Sequence, residues 1–154
     1  MHLALYEPDI PQNTGTLLRL AACLGIGIDL IEPAGFVLTD KRLRRAGMDY
    51  LDRVAWTRHG SWGEFLDRRG SRPGRLVLLT TRAKIPYTDF RFDVADTLLL
   101  GREGAGVPDE IHAAVDAAIR IPMVAGLRSI NVALAGAMVV GEALRQTEGF
   151  PGEK

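Results

Sequence analysis

The strongest constraint on this chain is an alternation of short apolar runs with segments of helical spacing, repeated from end to end. The apolar runs His2–Tyr6, Gly27–Ile31, Arg53–Trp56, Arg75–Thr80, Thr97–Leu100 and Ala118–Ile121 read as strands. Between and after them, Asn13–Leu24, Asp40–Ala46, Trp62–Arg69, Pro108–Ala117 and Ile130–Gln146 read as helices. That order predicts the α/β class, a single domain over residues 1–154 with a mainly parallel sheet flanked by helices. Local punctuation agrees. Ser61 followed by Glu64 forms a capping box, Pro108-Asp-Glu suits a first helical turn, and Gly25 and Gly47 suit helix stops. Residues 82–96 read as a loop, and Gly149–Lys154 as a frayed tail.

With 154 residues the chain can bury one core, and 47% hydrophobic against 25% charged residues is a globular balance. Nineteen basic side chains balance nineteen acidic ones, so any nucleic-acid contact must come from a local patch. Lys41, Arg42, Arg44 and Arg45 form one; Arg68, Arg69, Arg72 and Arg75 are spread over a second. The single cysteine, Cys23, excludes an internal disulfide and reads as a buried packing residue among Leu20, Ala21, Ala22 and Leu24. His2, His59 and His112 are too scattered to predict a metal site. No apolar run approaches the ~18 residues of a membrane span, and the N-terminus lacks the basic start and long apolar core of a signal peptide. A cytoplasmic protein is expected.

Three polar constellations stand at element junctions. Pro8-Asp-Ile-Pro-Gln-Asn-Thr-Gly leads into the first helix, where Asn13 or Thr14 can cap and Arg19 follows one to two turns later. Gly101-Arg-Glu-Gly-Ala-Gly-Val-Pro108 places Glu103 between glycines that let backbone approach a ligand closely. Arg128-Ser-Ile-Asn131 precedes the last helix, with Ser129 and Asn131 either capping it or facing a cleft. The last two loops each follow an apolar run, the layout of a ligand site at the carboxyl edge of a parallel sheet. The glycines do not form G-x-G-x-x-G and no Walker lysine follows them, so a nucleotide pyrophosphate is not the expected ligand. The last helix is apolar round most of its girth and rich in small residues, which suits burial against the sheet or against a second copy equally.

Taken in order, these segments resemble the signature motifs of the SPOUT class of S-adenosylmethionine-dependent RNA methyltransferases. Ile31-Glu-Pro, Asp40-Lys-Arg-Leu-Arg-Arg-Ala-Gly-Met-Asp-Tyr50, Leu79-Thr-Thr81 and Glu142-Ala-Leu-Arg-Gln146 extend the likeness over almost the whole chain, closest to the small tRNA (cytidine/uridine-34-2′-O)-methyltransferases. The resemblance implies a C-terminal deep trefoil knot, a homodimer, and an anticodon stem-loop as RNA partner. It implies donor binding by Leu79, Gly101, Ile121, Met123 and Ser129, with catalytic duties for Arg19, Glu103, Ser129 and Asn131. Asn13, Arg19, Lys41, Arg42, Arg44 and Arg45 are the expected RNA contacts. Another tRNA position, ribosomal RNA, or an inactive RNA-binding protein of the same fold are the alternative readings. One departure is Gly141, where such relatives often carry tyrosine.

Overall fold

The computed structural model describes residues 1–37, 41, 50–70 and 72–152. Among them seven strands form one sheet: β1 (His2–Tyr6), β2 (Gly27–Ile31), β3 (Trp56–His59), β4 (Leu76–Leu79), β5 (Ile85–Pro86), β6 (Thr97–Leu100) and β7 (Ala117–Arg120). Their order is β3-β2-β1-β6-β4-β7-β5, and every strand pair is parallel. The helices whose residues are all described are α1 (Pro11–Leu24), α2 (Trp62–Arg69), α3 (Asp109–Ala114) and α4 (Val132–Gln146).

Alternation along the strands divides the core in two. Leu3 and Leu5 of β1, Ile28 and Leu30 of β2, and Leu98 and Leu100 of β6 point to a cluster with Leu17, Leu18, Val139 and Val140 of α1 and α4. Ala4, Tyr6, Ile31 and Leu99 point the other way, towards Phe65 of α2 and Ile111 of α3. Burial on both faces is why these strands are continuous apolar runs.

The central strands β1, β2 and β6 fall where the sequence puts them. β3 does not: Leu51–Arg53 is a 3-10 turn and the strand comes later, at Trp56–His59. This is an edge strand whose polar Thr57 and Arg58 hide its period. The loop expected over 82–96 contains β5 and a 3-10 turn at Tyr87–Asp89. The helix expected to reach Ala117 stops at Ala114, because Ala117 already pairs with Val77 of β4. The helix expected over Asp40–Ala46 and the stop at Gly47 lie outside the described residues, apart from exposed Lys41.

Helix ends follow the residues. At α2, Ser61 Oγ accepts from Glu64 N (3.1 Å), while the Glu64 carboxylate takes Gly60 N (2.6 Å). At α1 the expected cap by Asn13 or Thr14 is overturned. Pro11 occupies the first turn, Ile10 is the N-cap without a side-chain bond, and both polar residues lie inside the helix, buried. Gly25 closes α1 in the left-handed conformation as expected. Cys23 corrects a second expectation: it is exposed on the outer side of α1.

Beneath α2, Asp29 is 1% exposed and accepts from His59 Nε2 (2.8 Å) and from Arg72 (2.6 and 3.1 Å). Arg75 likewise pairs with buried Asp96 (2.7 Å), and Arg69 donates to Gly74 O (2.7 Å). The second basic cluster of the sequence is therefore largely structural: its cations fasten loops and buried carboxylates.

Candidate active site

Parallel strands end together, so the loops that follow them converge. The carboxyl ends of β4, β6 and β7 open onto a cavity of about 620 Å³, within the usual range for a small-molecule site. Leu79 at the end of β4, Gly101 after β6, Ile121 and Met123 after β7, and Ser129 before α4 all line it. Asn13, Glu103 and Asn131 line it too, so the three loops singled out in the sequence meet at one place.

Loop 101–106 is closed on itself by two backbone bonds between Arg102 and Gly106, of 3.0 and 2.9 Å. A Cβ at position 101 would lie 2.7 Å from the Gly106 carbonyl carbon, and Gly106 itself has φ +66°. Glycine is thus required first by the loop's own closure, which brings its backbone to the cavity edge.

Glu103 turns towards the start of α1. Its carboxylate accepts from Asp9 N (2.7 Å), Ile10 N (3.3 Å) and Asn13 Nδ2 (3.3 Å). It thereby holds the entrance of a helix that lacks a capping side chain of its own. Asn13 Oδ1 accepts from Asn131 Nδ2 (2.9 Å), and Asn131 Oδ1 accepts from Ala133 N (2.9 Å) and Leu134 N (3.3 Å). One polar chain therefore runs from loop 101–106 through α1 to the start of α4. Asn131 both caps the last helix and faces the cleft, so the two readings open in the sequence hold together.

Arg102 donates to Asp9 Oδ1 (2.9 Å), and this bond, helped by Gly104 N, holds the Asp9 carboxyl below its ordinary range. Arg82, which also lines the cavity, pairs with Asp109 (2.8 Å). His112 also lines the cavity; partial burial and then the Arg82 charge push its pKa down, which favours the neutral imidazole. Arg82, His112 and Arg128 line the cavity although none is among the site residues expected from the sequence. Thr80–Arg82 follow β4 directly, so the carboxyl-edge rule that selected the other loops applies equally to them.

Arg19 is not brought to the cavity within one chain. It lies well round α1 from Asn13, exposed, with its guanidinium 5.0 Å from the Tyr50 ring centroid. Lys41 is exposed, and Arg42, Arg44 and Arg45 lie outside the described residues. Among the described residues no helix is long and apolar enough to cross a membrane.

The SpoU rRNA Methylase family model matches residues 1–141. A tRNA (cytidine(34)-2′-O)-methyltransferase of Ancylobacter novellus is 57% identical over 148 residues, 96% of this chain and 94% of the relative. A solved structure concerned with 2-OH methylation of C/U34 on tRNA is 40% identical, with a TM-score of 0.86 and 94% of each chain covered. The SpoU methyltransferase AviRb of Streptomyces viridochromogenes, solved in complex with the cofactor AdoMet, is 28% identical with a TM-score of 0.82, over 95% of this chain and 57% of that one. A match over nearly the whole chain, joined to the same parallel α/β architecture, makes this protein a member of the SpoU methylase family.

Proposed function

We propose that this chain transfers a methyl group from S-adenosylmethionine to the 2′-oxygen of nucleotide 34, a cytidine or uridine, in the anticodon loop of tRNA. The observation that carries the reading is the cavity at the carboxyl edge, where all three motif loops meet in a chain 57% identical to a tRNA (cytidine(34)-2′-O)-methyltransferase. The whole chain acts as one cytoplasmic methyltransferase domain.

The residues fit the donor. The wall combines loop backbone at Gly101, Gly104 and Gly106 with apolar Leu79, Ile121 and Met123 and a few polar groups, suited to a neutral adenosine rather than a pyrophosphate. The donor supplies an already activated methyl group, so the protein's task is placement. Leu79, Gly101, Ile121, Met123 and Ser129 hold the donor in this reading. Asn131, tied to Asn13, fixes the cleft between donor and RNA. Glu103 acts by position: with three donors on its carboxylate it holds loop 101–106 against α1. Placing the reactants in line is worth up to ~7–11 kcal/mol, more than the ~10²–10⁴-fold that a base contributes.

Arg19 enters through a second copy. Leu134 and Met138 stand 61% and 42% exposed on the outer side of α4, beside α1, and offer an apolar face for a homodimer. Such a dimer carries one chain's Arg19 towards its partner's cavity, where it meets the RNA with Lys41 and the neighbouring cations. The C-terminal trefoil knot is supported by the strand order: the β4-to-β6 connection passes round β7, pairing as β5 on its far side, while α4 packs back on α1 and β6.

The test is transfer of labelled methyl from S-adenosylmethionine to total tRNA from cells lacking this activity, with the product mapped by mass spectrometry. Label on the nucleotide 34 ribose, lost in Arg19→Ala, supports the proposal. Label confined to another nucleotide, or to ribosomal RNA, overturns it.

A further inference from the structure

Among the described residues three arginines line the cavity: Arg82, Arg102 and Arg128. Two are committed within the chain. Arg82 is bound to Asp109, and Arg102 to Asp9 (2.9 Å) and Glu7 (3.5 Å). Arg128 has no carboxylate or hydrogen-bond partner among the described residues and is exposed. It follows a turn in which Leu127 N donates to Val124 O (3.2 Å) and Gly126 has φ +88°. Val124 and Leu127 are 75% and 67% exposed, so nothing among the described residues covers this lip of the cavity.

We propose that Arg128 is the anchor for a phosphate of the acceptor RNA beside the methylated ribose, and that the 124–128 turn is the lip on which the RNA strand rests. The inference rests on the proposed RNA methylation and adds a contact to it. A guanidinium is permanently charged and grips a phosphate through two parallel N–H groups. The donor is to be held by apolar walls and backbone deeper in the cavity, which leaves the exposed cation at its mouth for the anion that arrives from solution. The other anion within reach is the donor's own carboxylate, and the experiment separates the two.

An anticodon stem-loop RNA is titrated against wild-type protein, Arg128→Ala, Arg128→Lys and, as a control, Arg91→Ala, whose residue is exposed near the opposite sheet edge. Titrations run at several salt concentrations, with calorimetric titration of S-adenosylmethionine, sedimentation and thermal unfolding alongside. Loss of one phosphate contact predicts RNA binding about tenfold weaker in Arg128→Ala, with a log–log salt slope shallower by ~0.7–0.9. Arg128→Lys restores the slope but only part of the affinity; Arg91→Ala changes neither. Donor affinity, sedimentation and melting stay at wild-type values. Unchanged RNA affinity and slope overturn the proposal, as does lost donor affinity with RNA binding intact, or dissociation of an oligomer. Wild-type protein that binds the RNA yet transfers no methyl sinks the enzymatic reading while leaving the Arg128 comparison to stand or fall on binding. Wild-type protein that binds no RNA overturns both.

Discussion

Glu103 accepts from two backbone N–H groups and an amide, the geometry behind the positioning role proposed for it. Glu103→Gln turns an NH₂ towards at least one of those donors, leaving it unsatisfied at a cost of ~1–3 kcal/mol. The expected outcome is a lower urea midpoint and weaker S-adenosylmethionine binding by calorimetry. A pure base would instead lose turnover with both quantities intact. Asp29 makes the stability of the fold depend on pH. Burial alone would raise its pKa, but bonds from His2, Arg72 and His59 together hold it far below the usual carboxylate range. The folded value lies below the unfolded ~3.9, so this stabilisation is complete above that pH and is lost as pH falls towards the folded value. Asp29→Asn removes the buried carboxylate that Arg72, His59 and His2 face, with an expected loss of about 3 kcal/mol at pH 7. Urea unfolding at pH 7 and pH 3 checks it: the gap between variant and wild type should narrow in acid.

At the scale of elements, what could be read in advance depended on burial. Strands β1, β2 and β6 sit in the sheet interior with apolar residues on both faces, and their limits follow from the sequence. The edge strands β3 and β5 are polar or two residues long, and periodicity could not place them. The start of α1 is hidden from the sequence for a different reason: its capping group, Glu103, comes from a loop 94 positions away from Asp9, beyond any local signal. The glycine loop was located correctly, but its glycines answer first to the Arg102–Gly106 bridge. Gly101→Ala, driven against Gly106 backbone that cannot give way as a side chain tip can, should open the loop. Donor affinity should fall at least tenfold, read by calorimetry, while the rest of the sheet keeps its amide exchange protection. By contrast nothing among the described residues lies within 4 Å of a Cβ at Gly141, so they leave room there for a larger side chain.

Over the whole molecule, the candidate site was legible as a set of loops and not as a complete centre. Leu79, Gly101, Glu103, Ile121, Met123, Ser129, Asn13 and Asn131 meet round one cavity, because parallel strands deliver their following loops to one edge. Arg19 stands elsewhere on the same chain. If two copies share each site, mixed dimers of an Arg19→Ala chain and a Gly101→Ala chain contain one centre with both lesions and one with neither. Their methyl transfer should recover to roughly a quarter of the wild-type rate or more, against near-zero for each parent, a statistical expectation for independent sites that sedimentation and single-turnover assays can check. No recovery would place Arg19 with the cavity of its own chain.

If the cavity serves methyl transfer to one ribose oxygen, two synthetic anticodon stem-loops that differ only at that oxygen should behave differently as substrates. One carries an ordinary ribose at nucleotide 34 and the other a 2′-deoxyribose there, each incubated with labelled S-adenosylmethionine in single turnover. Label is expected in the first and none in the second, with both RNAs bound about equally. Equal labelling of the two, or label in neither when both the RNA and the donor are bound, would contradict it.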